Sequence, residues 1–271
     1  MKKQIVSGLM AMVFAFGLTA CSVSMKTGEN TTNANTNSNT NSTKSPEANL
    51  DSNKSNSNSS STVSSSSSSS STSSDLAGTY TVNGTGVDGK SYQGEVIVTK
   101  RDEVYQMSWT IGSEKYDGVA VQRENTLAAA YTTGEDGKGC GAVVYKINSD
   151  NSLDGKWGEW GVNSAGTEKA VPVGELTDNI GTFDVSGTNP NGSDYKGKLV
   201  VKKGGNDTYQ FAWAVGSNFI GTGVKLGSYL AVGSGAKQCG FVIYEVKGNS
   251  LEGKWGVPGS SELGTEKAVK K

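Results

Sequence analysis

From residue 76 onward the chain writes one pattern twice. Gly78-Thr79-Tyr80 returns as Gly181-Thr182-Phe183, and Tyr92-Gln93-Gly94 as Tyr195-Lys196-Gly197. Tyr105-Gln106-Met107-Ser108-Trp109 returns as Tyr209-Gln210-Phe211-Ala212-Trp213, and Lys138-Gly139-Cys140-Gly141 as Lys237-Gln238-Cys239-Gly240. Ser152-Leu153-Asp154-Gly155-Lys156-Trp157-Gly158 matches Ser250-Leu251-Glu252-Gly253-Lys254-Trp255-Gly256, and Gly166-Thr167-Glu168-Lys169-Ala170 matches Gly264-Thr265-Glu266-Lys267-Ala268. The duplicated unit is about 95 residues long. Whatever one copy folds into, the other must be able to fold into as well.

Within each copy the apolar period is two. Tyr105, Met107, Trp109 and Ile111 alternate with Gln106, Ser108 and Thr110, and Tyr209, Phe211, Trp213 and Val215 alternate in the second copy. Side chains on a strand point to opposite faces in turn, so this is the signature of half-buried strands with aromatics on the core side. Turn signals at Asp88-Gly89, Asp136-Gly137, Asn191-Gly192 and Gly204-Gly205-Asn206-Asp207 separate the runs. The first copy then divides into strands near Gly78–Asn83, Tyr92–Lys100, Val104–Ile111, Tyr116–Val121, Thr126–Thr132, Gly141–Ile147, Ser152–Glu159 and Thr167–Val173, and the second repeats them. Short connections favour sequential antiparallel pairing, and eight such strands can close on themselves and remove their edges. Gly94, Gly118, Gly155, Gly197, Gly221 and Gly253 inside strands suit the bends of a small barrel. The expected fold is all-β: two tandem antiparallel meander barrels over 76–173 and 178–271, with a pair of flattened sandwiches as the other arrangement of the same strands. A single 16-strand membrane barrel is disfavoured, because its strands would need an apolar outward face.

The residues before the repeats cannot join that core. Positions 22–75 hold 21 Ser, 10 Asn and 8 Thr, too little apolar surface to offset the cost of ordering a backbone. They read as a disordered tether with a root-mean-square span of roughly 40 Å. Lys2 and Lys3 precede an apolar run from Ile5 to Thr19 that is short for a membrane span and laid out as a secretory signal. It ends in Leu18-Thr19-Ala20-Cys21, which resembles the lipobox of bacterial lipoproteins. That resemblance implies a signal peptide at 1–20, a lipidated Cys21 carrying palmitate among its acyl chains, and a tether completing 21–75. Ser22 in the next position resembles the pattern sorted to the outer membrane, so the expected location is the cell envelope, lipid-anchored.

The repeats themselves resemble the calycin-like barrels, similar to avidin and the lipocalins, found in bacterial lipoproteins; the resemblance covers 76–271. Candidate residues follow from their chemistry. The chain has no histidine, which removes His-based triads and His-ligated zinc. A net charge of −1 gives no field for nucleic acid. Cys140 and Cys239 hold equivalent positions: either they bridge the two copies, which requires Cα atoms within about 7 Å, or they are small buried thiols on strands. Tyr92, Tyr105, Trp109, Trp157, Tyr195, Tyr209, Trp213 and Trp255 either fill the barrels or line a cup for an apolar ligand. Trp160 has no counterpart and suits a rim or an interface. Glu168 and Glu266 recur beside Lys156, Lys169, Lys254 and Lys267; such a carboxylate could take backbone donors or pair with a lysine, and alone it makes a poor hydrolase site. No catalytic group, metal site or cofactor is expected. The functions left are a non-catalytic binding or adhesion module for a host protein, envelope protein or glycan, a small-ligand carrier or enzyme inhibitor, and a structural envelope lipoprotein.

Overall fold

The computed structural model describes residues 75–134, 136–205, 207–235, 239–260 and 262–271. The expected signal peptide at 1–20, Cys21 and the expected tether up to residue 74 lie outside those residues. The first repeat supplies β1 (Gly78–Thr85), β2 (Ser91–Arg101), β3 (Val104–Ile111), β4 (Glu114–Arg123), β5 (Thr126–Thr133), β6 (Cys140–Ile147), β7 (Leu153–Glu159) and β8 (Gly166–Pro172). The second supplies β9 (Gly181–Thr188), β10 (Asp194–Lys203), β11 (Thr208–Ala214), β12 (Asn218–Leu226), β13 (Tyr229–Gly235), β14 (Gly240–Lys247), β15 (Ser250–Gly256) and β16 (Gly264–Lys270). Every strand that the alternation predicts in the first repeat is present. At the turns, Asp88 accepts the amide of Lys90 at 3.1 Å while Gly89 takes a φ of 77°, which glycine enters without steric cost.

The strands close into two eight-stranded antiparallel barrels, as the fold class predicts, but the repeats do not close one barrel each. Barrel A runs β1-β16-β15-β14-β5-β4-β3-β2, and barrel B runs β10-β11-β12-β13-β6-β7-β8-β9. Five strands of one repeat are completed by three of the other. After β5 the chain crosses to the second barrel: β5 pairs with β14, Ala129 opposite Val242, and β6 pairs with β13, Val143 opposite Val232. The boundaries 76–173 and 178–271 therefore mark sequence repeats and not closed barrels. The exchange is possible because β6 (Gly141-Ala-Val-Val-Tyr145) and β14 (Gly240-Phe-Val-Ile-Tyr244) offer almost the same inward side chains and the same ladder, so either can complete a barrel.

What holds the exchanged arrangement is a third core between the barrels. Each barrel has its own interior, Tyr80, Val96, Met107, Leu127 and Tyr244 in A, and Tyr145, Phe183, Leu199, Phe211 and Leu230 in B. The outer faces of β4, β5 and β14 are also apolar, and Val119, Val121, Ala128, Ala130, Phe241 and Ile243 pack there against Ala142, Val144, Val224 and Ala231. The strands at this seam are buried on both faces, which a single isolated barrel would not offer. Trp160 also packs against this core, so it is an interface residue.

Cys140 and Cys239 form a disulfide with their Cα atoms 5.9 Å apart. They stand where the two crossing segments enter β6 and β14, so one bond ties both crossovers together. Glu124, after β4, adds a polar link across the seam: it accepts from Lys146 at 2.6 Å and from the Tyr229 hydroxyl at 2.6 Å.

Candidate functional site

The two barrels are capped at one end and open at the other. In barrel A the cap is the segment before β1, where Leu76 is buried and its carbonyl accepts the Tyr80 hydroxyl at 2.7 Å. In barrel B it is the link between the repeats: Leu176 and Ile180 pack on the core, and Asp178 accepts from Tyr209 at 2.8 Å and Lys225 at 3.1 Å. Tyr105 and Tyr209 sit at these capped ends. Both are buried and belong to the barrel cores.

The open ends form two cups. Cup A has a volume of about 410 Å³ and is walled by Tyr92, Trp109, Tyr116, Tyr131 and Trp255. Cup B, of about 210 Å³, is walled by Tyr145, Trp157, Tyr195, Trp213 and Phe219. Because of the exchange, the predicted aromatics regroup across the repeats: Tyr92 and Trp109 meet Trp255, while Trp157 meets Tyr195 and Trp213. The rings stand edge to face, Tyr92 and Trp255 with centroids 6.1 Å apart, and Trp157 and Tyr195 with centroids 6.5 Å apart.

Each floor is a buried carboxylate. In cup A, Oε1 of Glu266 accepts from the Tyr244 hydroxyl and from Trp109 Nε1 at 3.1 Å, and Oε2 accepts from the Tyr92 hydroxyl at 2.8 Å. In cup B, Oε1 of Glu168 accepts from the Tyr145 hydroxyl and from Trp213 Nε1 at 3.1 Å, and Oε2 accepts from Tyr195 at 2.9 Å. The lysine partner and the backbone donors expected for these carboxylates are both replaced by phenol and indole donors. The reason is the strand period: in Thr167-Glu168-Lys169 and Thr265-Glu266-Lys267 the acid points inward and its neighbours outward, and Lys267 pairs outside with Glu252 at 2.7 Å. Tyr145, Tyr244, Tyr116, Tyr131 and Phe219 complete the cups. Their alternating places on strands are visible in the sequence, but which barrel each faces is not, because the two repeats offer near-identical strands.

No family model, curated protein or solved structure matches the chain.

Burial raises both carboxyls above the usual carboxylate range, and the three donors pull the other way without cancelling it. Tyr145 and Tyr244 are pushed well above the phenol range by burial and by the charge of the carboxylate beside them. A carboxylate with two oxygens offers about four acceptor positions. Among the described residues three are taken in each cup, two on Oε1 and one on Oε2, which leaves room for a further donor on Oε2. Among the described residues, the indole nitrogens of Trp157 and Trp255 are buried with no hydrogen-bond partner, one in each cup wall.

The aromatic positions depend on glycines across the ladder. Tyr92 lies opposite Gly84, Tyr145 opposite Gly155 and Trp157 opposite Gly166, with the same pairs at Tyr195 and Gly187, Tyr244 and Gly253, and Trp255 and Gly264. A Cβ on Gly84 would stand 2.3 Å from the Tyr92 ring, and one on Gly166 would stand 2.2 Å from the Trp157 ring. The ring occupies the space that a side chain would take, so it can lean over the partner strand towards the cup. Gly155 and Gly253, which suggested barrel bends, have this role. Among the described residues no group of three or more His, Cys, Asp or Glu is placed to hold a metal.

Proposed function

We propose that the chain is a non-catalytic, lipid-anchored envelope protein that binds small ligands in its two barrel mouths. The observation that carries this reading is the pair of open aromatic cups, each floored by a hydrogen-bonded carboxylate and assembled from both repeats. A barrel filled by its own side chains would have argued for a purely structural part. The lipobox at Leu18–Cys21 and the tether supply the anchor in this reading. Asp75, where the tether joins, stands at the capped end of barrel A, whose Tyr80 lies opposite the mouth.

Adhesion to a host protein, an envelope protein or a glycan remains the second reading, and one feature favours it. Phe219, at the edge of cup B, and its neighbour Ile220, on the outer face of β12, are 46% and 71% exposed. The equivalent residues of the first repeat, Tyr116 and Asp117, are half-buried and buried, so the patch is not duplicated as the cups are. That difference places the cups first.

Native mass spectrometry of the full chain purified from the envelope tests the reading. Up to two small-molecule adducts per chain are expected. They should be lost when Gly84→Leu and Gly187→Leu displace Tyr92 and Tyr195 from the walls. An adduct-free protein whose tryptophan fluorescence responds to no member of a broad ligand panel would overturn it.

A further inference from the structure

We infer that each cup takes an organic ammonium group, held by aromatic faces and by the floor carboxylate. This rests on the ligand-cup reading and names the ligand class for it. The first support is the charge carried by the cups. Among the described residues, cup B is lined by Glu168 and Glu159 and by no lysine or arginine. Cup A is lined by Glu266 and Asp88, and the one cation among its described lining residues, Lys90, is already paired with Asp88 at 2.9 Å on the exposed rim. Among the described residues neither floor carboxylate has a cationic partner, and the side-chain donors that reach it there are tyrosine hydroxyls and tryptophan N–H groups.

The second support is the cost of that arrangement. A buried ionised carboxylate is expensive unless it is paired. A glutamine would accept from the same tyrosine and tryptophan without that cost, yet both repeats carry glutamate. An apolar ligand seated above the carboxylate would deepen the desolvation, and an anionic one would add repulsion. A cation does the opposite: it supplies the missing counter-charge and meets the open acceptor position on Oε2.

The third support is the walls. The negative faces of Trp and Tyr attract a cation within about 6 Å of the ring centroid, and several faces around one cavity are a recognised way to hold ammonium groups. In cup A, Trp109, Tyr131 and Trp255 enclose the space over Glu266, with Trp109 and Tyr131 centroids 5.8 Å apart and tilted by 55°. Cup A is large enough for an ammonium on a short apolar body, and cup B for a smaller one.

The test compares choline with 3,3-dimethylbutanol, its uncharged counterpart of nearly the same shape, by calorimetry and tryptophan fluorescence on the full chain. Choline is expected to bind at least tenfold tighter. The double variant Glu168→Gln and Glu266→Gln should reduce choline to the level of the alcohol while keeping the alcohol's own affinity. The single variants should each silence one cup, and the comparison of the two probes on the unaltered chain needs no variant to fold. If the alcohol binds as tightly as choline, the ammonium assignment is wrong and the cup reading stands. If neither probe binds, nor choline's smaller and larger ammonium homologues, the ammonium assignment is overturned; a chain that also carries no adduct and answers no neutral ligand takes the cup reading with it.

Discussion

In barrel A the carboxylate of Glu266 lies under Tyr92, Trp109, Tyr116, Tyr131 and Trp255. In barrel B the carboxylate of Glu168 lies under Tyr145, Trp157, Tyr195, Trp213 and Phe219. The acceptor pattern on the two floors is the same, donor for donor, and the Trp-to-Glu distance is 3.1 Å in both. The walls have diverged. Tyr116 faces Phe219 in the alignment of the repeats, Tyr131 faces Ser234, and beneath the floor Met107 of barrel A is Phe211 in barrel B, where it stacks between Tyr145 and Trp213. The charged rim pair Asp88–Lys90 has no equivalent beside cup B, which carries Glu159 instead. On the proposed reading, a floor held constant while the walls change would fit one kind of polar recognition to two sizes of ligand.

The most severe test of that comparison removes what the cups share. The Cys140–Cys239 bond joins positions 99 residues apart, and a loop of that length is stabilised by about 4.7 kcal/mol in the chain-entropy account. Cys140→Ser with Cys239→Ser should lower the urea midpoint by a corresponding amount, with one transition. Because each barrel borrows three strands from the other repeat, both cups should open together. Trp109 and Trp255 report cup A and Trp157 and Trp213 report cup B, so single-tryptophan variants can follow each. Separate midpoints for the two cups would show that the seam does not couple them.

How far such coupling was legible in the sequence depends on the strand. Val104–Ile111 reads as a half-buried strand from its alternation alone, and its ends agree with the structure. The exchange was hidden for the same reason that the duplication was obvious: β6 and β14 are near copies, so pairing rules cannot tell β5 which one it will meet. One sign was present. Leu127-Ala128-Ala129-Ala130, Ala142-Val143-Val144-Tyr145 and Phe241-Val242-Ile243-Tyr244 are continuous apolar runs and not alternating ones, the mark of strands buried on both faces. A lone barrel in water would bury only one. The inward turn of Glu168 and Glu266 was legible from their period, but their partners were not: Trp109 and Glu266 are 157 residues apart and meet only because the barrels are interlaced.

A gentler comparison removes the same donor from each floor. Trp109→Phe and Trp213→Phe leave a buried carboxylate with two hydroxyl donors in place of three, a loss of about 1–3 kcal/mol each. Equal losses in chemical denaturation are expected from the equal geometry. If Trp213→Phe costs clearly more, the stack of Tyr145, Phe211 and Trp213 holds the floor of barrel B as firmly as the hydrogen bond does, and the two floors are less alike than their distances suggest.

The smallest effect concerns the charge itself. Both carboxyls are raised by burial, so they bind a proton more tightly in the fold than in the unfolded chain, where a glutamate titrates near about pH 4.3. Their contribution to stability is therefore fullest below that value and is lost as the pH rises through the raised folded one. The tyrosines that face them, Tyr145 and Tyr195 in one cup and Tyr92 and Tyr244 in the other, are all shifted upward and stay protonated across that window. Glu168→Gln with Glu266→Gln keeps an oxygen for the tryptophan and the deeper tyrosine, and its amide can donate to the outer hydroxyl. The variant should be no less stable than the parent at neutral pH, and its denaturant midpoint should lose the decline that the parent shows as the pH rises above about 4.3. A cation in the cups should act in the opposite direction on the parent alone: it favours the ionised floor, so it should flatten the parent's decline with pH and leave the variant's profile where it was. If the midpoint of the parent is already flat over that range, the two carboxylates are stabilised well enough by their neutral donors to need no counter-charge, and the constancy of the floor would have to be explained by folding alone.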